Sequence, residues 1–151
     1  MIKLTVFIFF VMVFISPNIV LSQSETSVQD IFEKISEKRK VLEEENKQEI
    51  VNVTVDLLIK DAQKSFVRYL DPSFEYTIIA VGDRRIDKLT LTVYRPGIPD
   101  WQYITENSGK MPMVSISLVD SEPFEFAVNV NKYSAKNEAG HFAVIIYHRI
   151  P

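Results

Sequence analysis

The chain has 151 residues, 46% of them hydrophobic, and carries 17 basic against 20 acidic residues for a formal net charge of −3. That balance, with no basic stripe anywhere along the chain, excludes the phosphate neutralisation on which nucleic-acid binding depends. The absence of cysteine excludes disulfides, thiolate metal sites, iron–sulfur clusters and cysteine nucleophiles, so the fold must be held by its apolar core.

Lys3 precedes an almost wholly apolar run over residues 4–15, which Ser16, Pro17 and Asn18 break before Val20, Leu21 and Ser22. A positive charge, a short apolar core, a breaker and a small-residue site together predict a secretory signal peptide, cleaved after Ser22 or Ser24. The competing reading is an uncleaved anchor over residues 4–21. Pro17 and Asn18 oppose it, because a span needs about 20 predominantly apolar residues. The predicted organisation is a signal peptide at 1–22, an N-terminal helix at 23–48 and a β-sandwich domain at 49–151. The mature chain is expected to be secreted or periplasmic and to have no membrane span.

From Thr26 to Lys47, apolar residues at Val28, Ile31, Phe32, Ile35 and Leu42 recur at three-, four- and seven-residue spacings. This predicts one apolar helical face, with Thr26 or Ser27 as its cap and the charges from Glu37 to Glu45 on solvated faces. Residues 50–59 fit either a helical stripe or a strand with Val51, Val53, Val55, Leu57 and Ile59 alternating. Their density of β-branched side chains favours the strand. A turn at Lys60, Asp61 and Ala62 then leads to a strand at 64–70. A helix over 50–70 would instead make a two-helix α+β domain.

Beyond Asp71 and Pro72, strands are predicted at 74–81, 88–94, 113–119, 124–131 and 141–148. Residues 95–112, with three prolines, two glycines and the only tryptophan, read as a loop. Phe124, Phe126, Val128 and Val130 give their strand one apolar face. The strands at 74–81 and 141–148 are apolar on both faces, which predicts central positions in one sheet whose outer side is covered by the helix. The expected fold is mainly β: an antiparallel, jelly-roll-like β-sandwich of about seven strands with one amphipathic N-terminal helix packed on it.

The run from Tyr76 to Asp83, followed by Leu89, Leu91, Val93 and Tyr94, resembles the middle of the bacterial pre-peptidase C-terminal type of domain. Residues Leu70 to Tyr76 and Gly140 to Ile145 match its general pattern of a proline-containing turn and a final strand. The likeness covers roughly residues 51–148. Domains of this type often carry acids in the fourth strand, where this chain has Lys88 and Thr90, so no metal site is carried over. The resemblance implies a secreted, non-catalytic accessory or binding module, and it names no ligand.

Several residues are candidates for chemistry. Trp101 and Tyr103, two apart, are candidate ligand-binding residues whose flat faces suit a sugar ring or a peptide; alternatively, Trp101 plugs one end of the core. Asp83, Asp87 and Asp100 are candidate calcium ligands if they gather at one end of the sandwich. His141 and His148 are seven apart on one strand, so they face opposite sides and cannot share a metal. Asn52, Val53 and Thr54 form a glycosylation sequon, more simply read as part of a polar strand face. No cofactor is expected and no catalytic motif occurs. The expected function is binding of a protein or glycan. The alternatives are a structural subunit of a cell-envelope assembly and a hydrolase using Asp83, Asp87 or Glu106.

Overall fold

The computed structural model describes residues 27–97 and 100–149. The predicted signal peptide and the capping residue Thr26 lie outside the described residues. Helix α1 (Ser27–Arg39) runs into a π-helical turn (Lys40–Glu45), closed by the Asn46 N–H donating to the Val41 carbonyl at 3.0 Å. Eight strands follow: β1 (Gln48–Ile59), β2 (Gln63–Tyr69), β3 (Glu75–Gly82), β4 (Ile86–Arg95), β5 (Gln102–Gly109), β6 (Met113–Ser117), β7 (Pro123–Tyr133) and β8 (Ala139–Arg149). They form two four-stranded antiparallel sheets, β1-β8-β3-β6 and β2-β7-β4-β5. This is the strand order of a jelly roll.

The core lies between the sheets. Ile78, Ala80, Phe142, Val144 and Ile146 of the first sheet meet Leu89, Leu91, Val93, Phe126 and Val128 of the second, all essentially inaccessible to solvent. The strands apolar on both faces, β3 and β8, occupy the middle of the first sheet. Their outer residues Ile79, Val81, Ala143, Ile145 and Tyr147 are buried under the helix and its π turn, where Ile31 and Leu42 seat. Burying one such aliphatic side chain stabilises the docked helix by roughly 1.5–3 kcal/mol. Polar contacts fix its angle: Lys34 Nζ donates to the Gly82 carbonyl at 2.8 Å, and the Arg84 N–H donates to Asp30 at 2.6 Å.

Two expectations are corrected. The segment 95–112 is not a continuous loop, because β5 adds an eighth strand paired with β4. The helical stripe is also only partly covered: Ile31 is fully buried, whereas Phe32 is 56% exposed and Val28 38%. The rotation of about 100° from one residue to the next carries Phe32 past the sheet contact that Ile31 makes.

The open sides of the sheets carry polar residues. Between β1 and β2, Arg68 donates to the Thr54 hydroxyl at 3.2 Å and Lys64 pairs with Asp56 at 3.1 Å. Side chains also turn back onto edge-strand backbone. Asp56 accepts the Leu57 N–H, Arg68 donates to the Val67 carbonyl, and Asn107 donates to the Met113 carbonyl.

Candidate functional site

The outer faces of the two sheets differ. That of the first sheet is apolar and lies under the helix; that of the second is mostly polar and has no covering element among the described residues. The register places Gln63, Asn129, Thr90 and Ser108 in one row across β2, β7, β4 and β5. Ser65, Ala127, Thr92 and Glu106 form the next row, and Val67, Glu125, Tyr94 and Tyr103 the third. Alternation makes these outward, since the intervening Leu89, Leu91 and Val93 are core. Thr90 donates to Asn131 Oδ1 at 2.6 Å, so the Ser108 hydroxyl, 2.5 Å from Thr90 Oγ1, donates in turn. The floor is therefore low, hydroxyl-rich and partly pre-organised.

An irregularity builds the third row. Val93 is opposite Thr105, yet Tyr94 is opposite Tyr103, leaving Ile104 as an extra residue on β5. Without that bulge Tyr103 would share the inward face of Thr105. With it, Tyr103 turns outward beside Tyr94, ring centroids 6.3 Å apart at 76°. Such an edge-to-face pair favours this arrangement of the two rings by about 0.5–1.5 kcal/mol. Tyr103 is 59% exposed, and Trp101 at the mouth of the hairpin 40%. Trp101 thus does not plug the core; with Pro96, Gly97 and Asp100 it lines a small surface cavity.

The three candidate calcium ligands are not brought together. Asp83 is buried at the β3–β4 turn. Its Oδ1 accepts the Arg85 N–H at 2.8 Å, and its Oδ2 accepts the His141 N–H at 2.7 Å and the Arg85 guanidinium at 3.2 Å. Its carboxylate locks that turn to the start of β8. Asp87 pairs with Lys132 at 3.5 Å near the first residue of β4. Asp100 lies beyond the last, about 30 Å along the strand at 3.2–3.4 Å per residue. Among the described residues no group of three or more His, Asp or Glu side chains converges. The acids considered for hydrolysis are scattered likewise, with Asp83 committed to the turn and Glu106 on the outer face of β5.

His141 and His148 face opposite sides of β8. His148 is buried and stacked on Phe74 at 4.0 Å, and its Nδ1 donates to the Arg149 carbonyl at 2.7 Å. It is a core residue. The residues that the sequence did not mark as part of a site are Tyr94 and the floor around Thr90 and Thr92. The alternation of threonines in β4 was visible, but the partner strand β5 that completes the face was not.

No protein-family profile matches this chain, and no curated protein matches it. Among solved structures the chain is similar to a protein from Sulfurospirillum deleyianum, with a TM-score of 0.46 and 9% identity over 66% of this chain and 99% of that one. It is also similar to the pre-peptidase C-terminal domain of a collagenase from Bacillus anthracis, with a TM-score of 0.43 and 13% identity over 63% of this chain and 87% of that one. This second structure is of the domain type that the sequence resembles.

Proposed function

We propose that the chain is an exported, non-catalytic β-sandwich module that binds a glycan at the aromatic corner formed by β4 and β5. The observation that carries this reading is the exposure of Trp101 and Tyr103 beside a polar sheet face, with Tyr103 held against Tyr94. Aromatic faces take the C–H faces of a sugar ring, while hydroxyl and amide groups around them satisfy the ring's hydroxyls. A protein partner would call for a more contiguous apolar surface, and the second sheet does not offer one. Titration of the Trp101 emission with short glycans tests the reading. A saturable change that Tyr103→Ala weakens severalfold supports it; an emission unmoved by any glycan overturns it.

One observation favours a second reading, a subunit of an envelope assembly. Phe32 and Val28 on the helix, and Val53 and Leu57 on β1, are all more than a third exposed. They lie on the opposite side of the molecule from Tyr103. Sedimentation equilibrium separates the two readings: self-association abolished by Phe32→Glu supports assembly, and a monomer at high concentration removes self-assembly.

A further inference from the structure

Thr92 occupies the centre of the uncovered face, and its side chain is in an unusual state. The residue is 93% buried, at a relative exposure of 7%, yet its hydroxyl has no hydrogen-bond partner among the described residues. That hydroxyl is not sealed inside the protein either, since no buried side-chain oxygen or nitrogen lacks a partner. It opens on the floor between Ala127 and Glu106, its neighbours across the ladder. Thr90, one step along β4, has its proton committed to Asn131 and its oxygen to Ser108. The floor thus holds one engaged hydroxyl and one that is free to bond outward.

The neighbouring rows make this a trough. Small side chains from Ser65 on β2 to Ser108 on β5 cross all four strands, about 15 Å at 4.7–4.9 Å per strand step. Tyr94 and Tyr103 stand along one side of it. Charge narrows the occupant further: Glu106 closes the β5 end and Glu125 stands next to Tyr94, at the aromatic side, while Lys88, opposite Lys132, lies beyond Thr90 at the other side, so the face favours neither sign of charge overall. Carboxylates in that position repel a uronate or sulfate at close range.

We propose that this trough is an extended subsite for a neutral, linear polysaccharide. The chain lies across β2, β7, β4 and β5, with one ring against Tyr103 and a hydroxyl bonded to Thr92. The proposal rests on the glycan-binding reading above and deepens it, because a corner of two aromatic rings alone would take a single sugar or a chain end of any charge.

Calorimetry of the purified exported chain against neutral β-1,4-linked oligosaccharides of two to six units, with oligogalacturonate as the charged comparison, tests it. The expected result is affinity that rises at least tenfold from two units to three or four, as many as the trough holds, and then levels. Thr92→Val, which keeps the shape of the side chain, weakens the five-unit ligand about threefold to tenfold, the loss of one neutral hydrogen bond. A circular-dichroism melt unchanged in Thr92→Val assigns the loss to binding; a lowered melt moves the same comparison to Ser65→Val at the β2 end. Affinity independent of length, insensitivity to the trough variant, or tighter binding of oligogalacturonate overturns the trough while leaving the aromatic corner standing. Binding of no glycan at all overturns both.

Discussion

Tyr103 faces Tyr94 across the β4–β5 ladder, whereas Thr105, only two residues further along β5, faces Val93 on the opposite side of the same sheet. Residues two apart on a regular strand share a face, so the extra residue at Ile104 decides where the aromatic ring goes. Tyr103→Ala removes an edge-to-face contact worth about 0.5–1.5 kcal/mol. Tyr103→Phe keeps it, and the two variants should separate by that amount in urea denaturation. Trp101, the sole tryptophan, should be quenched by iodide in the native protein.

Asp83, buried, joins the β3–β4 turn to the start of β8. Asp83→Ala leaves the N–H groups of Arg85 and His141 without the carboxylate they share, and removes that carboxylate from the Arg85 guanidinium. The expected loss is about 3 kcal/mol, tempered by the solvent that reaches Arg85. Asp83→Asn should recover part of it. Denaturant midpoints of the two variants check the order.

Gly140 is required by close approach. A Cβ there would lie 2.6 Å from Ile86 Cγ1 and 3.0 Å from Asp83 Oδ1. Gly140→Ala should cost about 1–3 kcal/mol through overpacking. Because the clash is chiefly with one side chain, combining it with Ile86→Ala should give a double variant at least 0.5 kcal/mol more stable than the two single losses predict. Additive losses would place the strain in the backbone instead.

Alkaline pH should weaken the fold through Tyr147 and Tyr133. Burial against the helix raises the Tyr147 hydroxyl above the ordinary value of 10.0, and burial followed by the nearby Asp83 charge raises Tyr133. A raised folded-state pKa contributes stability that is fully present below the unfolded value and is lost as pH rises through the folded one. Unfolding should therefore set in above pH 10.0. Absorbance titration of Tyr147→Phe should lack one late-ionising tyrosine, and its alkaline unfolding midpoint should move upward.

The central places of β3 and β8 in one sheet were legible, because hydrophobic pattern alone decides them. Residues apolar on both sides, such as Ile78 with Ile79 and Val144 with Ile145, have to lie between two covering layers, and β3 and β8 do. The strand β5 was not legible. Its inward residues Thr105, Asn107 and Gly109 bury little apolar surface, so no period-two signal marks it. The candidate site failed in sequence for a related reason: one bulged residue reassigns a face, and nothing local announces the bulge. Asp83 was visible as a turn acid, but its burial depends on His141, 58 residues away. Phe32 kept the helical spacing of a core residue while lying just beyond the reach of the sheet.

The edge strands offer the last consequence. A two-sheet sandwich has four exposed strand borders, each a template on which another chain could add and polymerise. Here Asp56 occupies the Leu57 N–H, Arg68 occupies the Val67 carbonyl, and Asn107 ties β5 to the Met113 carbonyl of β6. Lys64 and Arg68 place further charge along the β2 border. Borders whose backbone groups are already taken, and which carry charge, oppose the strand addition from which fibrils grow.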